Sequence, residues 1–394
     1  MHDTLDHMTK QKPTADDLAR LATGFRNEIA HKFDPALTLK MSYILDAFVH
    51  NSFISRIRVA GIEQLTVVPA GTPTILSCVH KSHLDYLLLG LALYQQANKF
   101  LPATIAGKNL FHGLFRHLLP RLKGICLDRV RANPKNLRSR ENVLYLSTFY
   151  DYILEDVMRK GDALTIFPEG GRSYDGRIMP LSLGVFAIAK RALVKPGDRV
   201  ALVPVSVSYD RVTEDDRFSL MGEKKEASRR AYRRHDLHGF YHHGFFQPKS
   251  NAYIDIGEPL FISTVKHLDA LEAELRRRMG ALVRVTAVAL VCRALQGKRE
   301  ASVHDVMAHI KRDLAHATAA KLRMGSGIRN RSVAHVFRAS LTHLDNPFRM
   351  RQIIRVRKRT HGMYVTVVRD DVVSYYARTV EHLFPDGAPE GAAL

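Results

Sequence analysis

The sequence has little cysteine and no long apolar run. Cys78, Cys126 and Cys292 are the only cysteines in 394 residues, and no CxxC pair or Cys/His cluster accompanies them. That pattern excludes a disulfide framework and a structural zinc site, and fits three reduced, buried thiols. The longest apolar run, residues 86–94, covers about half of the roughly 20 residues that a membrane span needs. Residues 1–12 are polar and lack the apolar segment of a secretory leader. A lipid-active protein of this kind is expected to lie on a membrane rather than cross it. Acidic residues are scarce too: 39 stand against 59 Lys and Arg, a formal net charge of +20. Such an excess attracts polyanions, whether nucleic acid, anionic lipid or phosphorylated small molecules. The basic residues are spread along the chain with no aromatic-plus-basic strand motif, so a basic nucleic-acid-binding protein is only a distant alternative and no nucleic acid is expected as a partner.

Hydrophobic residues make up 46% of the chain, enough to bury a real core. Residues 1–60 read as helical, with a start signal at Pro13-Thr14-Ala15-Asp16-Asp17 and Met41, Ile44, Leu45 and Phe48 at helical spacing. From Thr74 short apolar runs rich in strand formers alternate with helical stretches. Strands are expected at 74–79, 124–127, 162–167, 200–208 and 252–256, with helices at 86–95, 141–160 and 183–193. This predicts an α/β fold: a mixed, largely parallel sheet flanked by helices, with helical N- and C-terminal additions. Three regions follow: helical 1–60, a catalytic domain over 61–265, and helical 266–394. The tail after Pro385 is rich in Gly, Ala and Pro and is expected to fray.

Four clusters carry possible chemistry. The first is His80-x4-Asp85 in a polar turn between strand and helix. A carboxylate that fixes the tautomer of a histidine makes a general base, if the turn folds Asp85 back onto His80. The plain alternative is a surface turn feeding a capped helix. His83 has no acid five residues on and is at most a local partner. The second is Phe167-Pro168-Glu169-Gly170-Gly171-Arg172-Ser173. Gly170 and Gly171 let backbone N–H groups approach a phosphate, Arg172 brings a planar fork of donors, and Ser173 adds a hydroxyl. Glu169 either holds an alcohol or braces the arginine. An ordinary tight turn is the alternative; a Walker loop and a Gly-x-Ser-x-Gly elbow are both absent. The third is Arg129, at the end of the strand Gly124-Ile-Cys-Leu-Asp, either a bidentate phosphate grip or a surface cation. The fourth is Pro204 within Val203-Pro204-Val205, which suggests an edge strand or a bulge beside a site.

Taken in chain order, at 80–85, 124–129, 167–173 and 203–205, the four clusters resemble the glycerolipid acyltransferase family, over roughly residues 60–265. Gly171 and the sequence Val372-Val-Ser-Tyr-Tyr-Ala-Arg-Thr-Val-Glu-His-Leu-Phe384 are similar to the membrane-associated glycerol-3-phosphate branch. The chain departs from it with Tyr174-Asp175-Gly176 in place of Arg-Thr-Gly, and with Cys126, Leu127 and Asp128 in the cluster that ends at Arg129. The resemblance implies His80 as general base and Asp85 as its orienter. It implies Arg129, Glu169, Gly170, Gly171, Arg172 and Ser173 as the glycerol-phosphate site, with Pro204 shaping the acyl-donor side. It implies acyl transfer from acyl-CoA or acyl carrier protein to glycerol 3-phosphate in phospholipid synthesis, with lysophosphatidate or dihydroxyacetone phosphate as alternative acceptors. The expected place is the cytoplasmic face of the membrane, peripherally; no metal or cofactor is implied. Residues 110–123 add a basic amphipathic segment, suited either to an anionic lipid surface or to packing on the domain. Residues 349–359 are strongly basic, either a second lipid contact or a solvated face.

Overall fold

The computed structural model describes residues 14–215, 218, 248–264, 266–346 and 352–385. The polar start at residues 1–12, the basic residues 349–351 and the tail after Pro385 lie outside the described residues.

Helix α1 (Ala15–Ile29) opens where the start signal placed it. Thr14 and Asp17 form a capping box, each side chain accepting the other's backbone N–H. Helix α2 (Pro35–Ser52) is capped by Asp34 and has Pro35 in its first turn. Its expected apolar stripe is only partly inside: Met41, Leu45 and Phe48 are half-buried, whereas Ile44 is exposed. The helical reading to residue 60 is corrected at Ser52, because Ile54–Ala60 is strand β1 and belongs to the main sheet.

The remaining elements are β2 (Thr74–Cys78), α3 (Asp85–Gln96), β3 (Ala103–Gly107), α4 (Phe115–Arg121), β4 (Gly124–Leu127), α5 (Arg140–Tyr152), β5 (Leu164–Ile166), α6 (Gly184–Ala192), β6 (Val200–Tyr209), β7 (Ser250–Ile256) and β8 (Leu260–Ile262); they keep the expected alternation, with β3 and β8 as strands beyond those expected. Helix α5 runs on as a wider π-turn, Ile153–Met158. The sheet order is β1-β7-β6-β2-β5-β3-β4, with β8 also on β6. Strands β6, β2, β5, β3 and β4 are mutually parallel, and β7 and β8 run antiparallel to β6. This is the mixed, largely parallel sheet predicted from the alternation.

Helices cover both faces, which is why the strands are apolar on both sides rather than alternating. Along β2, Leu76 and Cys78 join one core with α3, while Ile75 and Val79 join the other with α1, α5 and α6. The three cysteines are buried and unbonded, and burial raises each thiol, which leaves them packing groups.

The C-terminal part contains α7 (Leu268–Ala281), α8 (Ala287–Leu295), β9 (Glu300–Ser302), α9 (Val303–Ala319), α10 (Val333–Leu344), β10 (Ile354–Arg359), β11 (Gly362–Val367) and α11 (Asp370–Val380). This part is mainly helical, as expected, and adds a small antiparallel sheet of β9, β10 and β11 that was not expected. The described part of the basic 349–359 segment is mostly β10, with Arg359 paired to Glu300. Helices α8 and α11 share the apolar core of the main sheet, so the two parts pack as one body.

Pro204 does not mark an edge. Strand β6 lies inside the sheet, and Pro204 pairs with Ser77 of β2. Its carbonyl accepts the N–H of Gly257 at 2.9 Å, at the point where the opposing chain passes from β7 to β8. The nitrogen without a hydrogen thus faces a gap in the ladder, where no donor is needed.

Candidate active site

The parallel strands send their carboxyl ends to one edge, the usual place for a site in such a sheet. His80 follows β2, Arg129 follows β4, the Glu169–Ser173 turn follows β5, and Tyr209 closes β6.

The turn after β2 folds back as a general base requires. His80 Nδ1 lies 2.9 Å from Asp85 Oδ2. That oxygen also accepts the backbone N–H groups of Lys81 (2.6 Å) and Ser82 (2.9 Å), and Oδ1 accepts the Tyr209 hydroxyl at 2.6 Å. Asp85 is fully buried at the start of α3, where the positive end of the helix dipole favours an anion. Because the carboxylate only accepts, Nδ1 carries the ring proton and Nε2 holds the lone pair. The imidazole packs on Phe167, ring centres 4.4 Å apart. Burial lowers its pKa below 6.5 despite the opposing pull of Asp85, with Arg172 and His83 pushing the same way as burial. The ring is therefore neutral, and a competent base, at pH 7.

The glycine-rich turn lies against this base. The Ser173 N–H donates to the His80 carbonyl at 2.8 Å, and the His80 N–H donates to Glu169 Oε1 at 2.8 Å. Glu169 Oε2 accepts the N–H of Met179 at 2.9 Å, so this carboxylate fastens the two loops together. Burial pushes its pKa up to about 7. Burial also takes Lys81, next to the base, down to about 8. Arg129 reaches across from β4 and donates from Nη1 to the Gly170 carbonyl at 3.0 Å. Gly170 has φ +71°, which favours glycine, and the space beside it and Gly171 is open. Arg172 is buried; its Nη1 donates to Glu214 Oε1 at 3.0 Å and its guanidinium lies over Tyr174.

The structure thus brings His80, Asp85, Arg129, Glu169, Gly170, Gly171 and Arg172 together. Ser173 is in the same turn, but its hydroxyl accepts the Gly176 N–H and donates to the Arg177 carbonyl, which makes it a turn-former. Pro204 packs beside Gly257 and Leu282, inside the sheet. Tyr209 and Glu214 escaped the sequence reading. Nothing local marks either one, because their partners lie 124 and 132 residues earlier in the chain. Among the described residues no group of His, Cys, Asp and Glu is placed to hold a metal.

Residues 56–208 match the Acyltransferase family model. That match covers less than half of the chain. It is similar to the glycerol-3-phosphate acyltransferase of Pseudomonas fluorescens (strain SBW25), 30% identical over 275 residues, 69% of this chain and 30% of the relative. It is 29% identical over 260 residues to that of Alteromonas mediterranea, covering 65% of this chain and 30% of the relative. It is likewise 29% identical over 245 residues to that of Pseudomonas aeruginosa (strain LESB58), 61% of this chain and 28% of the relative. The chain spans about 30% of the length of these curated relatives. Within the matched residues, one edge of the sheet offers a neutral imidazole with a lone pair, an open glycine turn and two arginines. That combination suits removing a proton from a hydroxyl whose molecule also carries an anion.

Proposed function

We propose that the protein moves a fatty acyl group from a thioester, acyl-CoA or acyl carrier protein, to a hydroxyl of glycerol 3-phosphate. The observation that carries this reading is the direct junction of base and anion turn: Ser173 N–H on the His80 carbonyl, and Glu169 on the His80 N–H. A phosphate held at Gly170, Gly171 and the arginines leaves the alcohol of a small glycerol ester within reach of Nε2. His80 takes the hydroxyl proton as the oxygen attacks the thioester carbonyl, and Asp85 stabilises the imidazolium that forms. The tetrahedral intermediate then collapses, the carbon–sulfur bond breaks, and the imidazolium returns its proton to the leaving thiolate. The products are an ester and a free thiol, with no covalent enzyme intermediate.

The same reading places the protein peripherally on the cytoplasmic face of an anionic membrane. Leu114 and Phe115 after β3, Val130 after β4 and Leu183 after β5 are exposed on the edge that holds His80. Arg116 and His117 follow the first two in the chain and are exposed, whereas Arg121, at the other end of α4, pairs with Asp34. Leu118 and Leu119 of that segment are half-buried, so it both packs on the domain and leaves apolar residues outside. No helix among the described residues is long and apolar enough to cross a membrane.

The test is transfer of labelled acyl groups by purified protein, with both donors and three acceptors: glycerol 3-phosphate, lysophosphatidate and dihydroxyacetone phosphate. Ester formation on glycerol 3-phosphate is expected. Transfer to lysophosphatidate alone would move the acceptor, and transfer to none would overturn the reading.

A further inference from the structure

We propose that Glu214 is a positioning residue that sets both the phosphate-facing arginine and the turn of the general base; the proposal rests on the acyl-transfer reading above. Glu214 lies just beyond the end of β6 and is 2% exposed. Its Oε1 accepts from Arg172 Nη1 at 3.0 Å and from the His83 N–H at 2.8 Å. Its Oε2 accepts the Ser82 hydroxyl at 2.9 Å. Ser82 in turn uses its N–H on Asp85 and accepts the Leu84 N–H on its own oxygen. One buried carboxylate therefore touches the glycine-rich turn on one side and the middle of the His80–Asp85 turn on the other. Three donors converge on it from residues that the chain brings together only in the fold.

The chemistry follows from what each contact fixes. A guanidinium recognises phosphate by the direction of its fork, and a charge-assisted bond from one nitrogen fixes that direction before substrate arrives. The amide of residue 83 and the hydroxyl of residue 82, both bonded to Glu214, fix the loop in which the amides of residues 81 and 82 donate to Asp85. With Glu214 in place, neither the arginine nor the base has to reorganise on binding, which is where preorganised sites gain their advantage. Glu214 itself touches no reacting atom in this account.

The experiment compares Glu214→Gln and Glu214→Ala with the wild-type chain. Initial rates give KM for glycerol 3-phosphate and for the acyl donor separately, and calorimetry gives glycerol 3-phosphate binding without donor. Glutamine keeps the shape and an oxygen for Arg172 and His83 but loses the charge. Its acceptor KM is expected to rise about 5-fold, with donor KM within about 2-fold. Alanine removes every contact and is expected to raise acceptor KM by about 10-fold or more, with a fall in kcat. A purely structural role would lower the fraction of folded protein and leave the ratio of the two KM values unchanged. The proposal is overturned if acceptor KM and acceptor binding stay at wild-type values in the glutamine variant, which decides the matter even if the alanine variant fails to fold. Wild-type protein that neither acylates nor binds glycerol 3-phosphate would instead defeat the acyl-transfer reading, and this proposal with it.

Discussion

Asp85 and Asp215 are both buried carboxylates, and they show how similar bonding can serve different ends. Asp85 holds a histidine, two backbone amides and a tyrosine hydroxyl. Asp215 holds the Arg211 guanidinium through both oxygens and the Tyr376 hydroxyl of α11. Each is satisfied, as buried charge must be. They differ in the partner. Arginine stays charged at any working pH, so the Arg211–Asp215 pair is a fixed joint between the main sheet and the C-terminal helices. Histidine changes charge near neutrality, and His80 has a second ring nitrogen free to exchange a proton, so the Asp85 pair can do chemistry. Burial by itself does not distinguish a joint from a site. The titration of the partner does.

Four measurements sharpen or break this contrast. The largest effect is expected from His80→Ala, which should lower turnover by about 10²–10⁴-fold with folding retained. Near-normal rates would remove His80 from the mechanism. Arg211→Met should act on the other pair and do the reverse. An uncompensated Asp215 is expected to cost about 3–5 kcal/mol of unfolding free energy, read from urea denaturation, with folded molecules keeping their turnover. Equal losses of activity and stability in both variants would erase the distinction drawn between the pairs. Tyr209→Phe takes one charged-acceptor hydrogen bond from Asp85 and is expected to slow turnover by about 10-fold, since such a bond contributes roughly 1.5–3 kcal/mol. The smallest effect is on pH dependence. Burial lowers the His80 pKa from 6.5, and the neutral ring is the active form, so activity falls as pH drops through a value below 6.5. An acid limb of kcat/KM centred above 6.5 would contradict the buried, neutral base.

Most of the parallel part of the fold was legible because its strands are short apolar runs ended by polar turns, as at Thr74–Cys78 and Gly124–Leu127; β3, Ala-Thr-Ile-Ala-Gly, has too few strand formers to stand out. Strand β1 was not, because Ile-Ser-Arg-Ile-Arg-Val-Ala follows α2 with no glycine or proline to separate them. Strand β10 was hidden by its charge: Arg355, Arg357, Lys358 and Arg359 made an alternating strand look like a basic run. The Pro204 signal misled because the rule concerns missing ladder donors, and an interior strand with a gap in its neighbour meets it equally well. In the site, the contacts within five residues were readable from spacing. Tyr209 and Glu214 were not, because a brace delivered across the sheet leaves no periodic trace in the sequence.

Gly176 bears on how this chain should be cut for experiments. A Cβ there would come within 2.1 Å of the Tyr375 carbonyl, and the neighbouring Arg177 pairs with Glu381. The loop that carries Arg172 is therefore moulded against helix α11 and the residues just after it. The stretch matched by the family model ends at residue 208, one position before the hydroxyl that braces Asp85. A fragment trimmed to that stretch would contain all four clusters and still lack the parts that hold them in register.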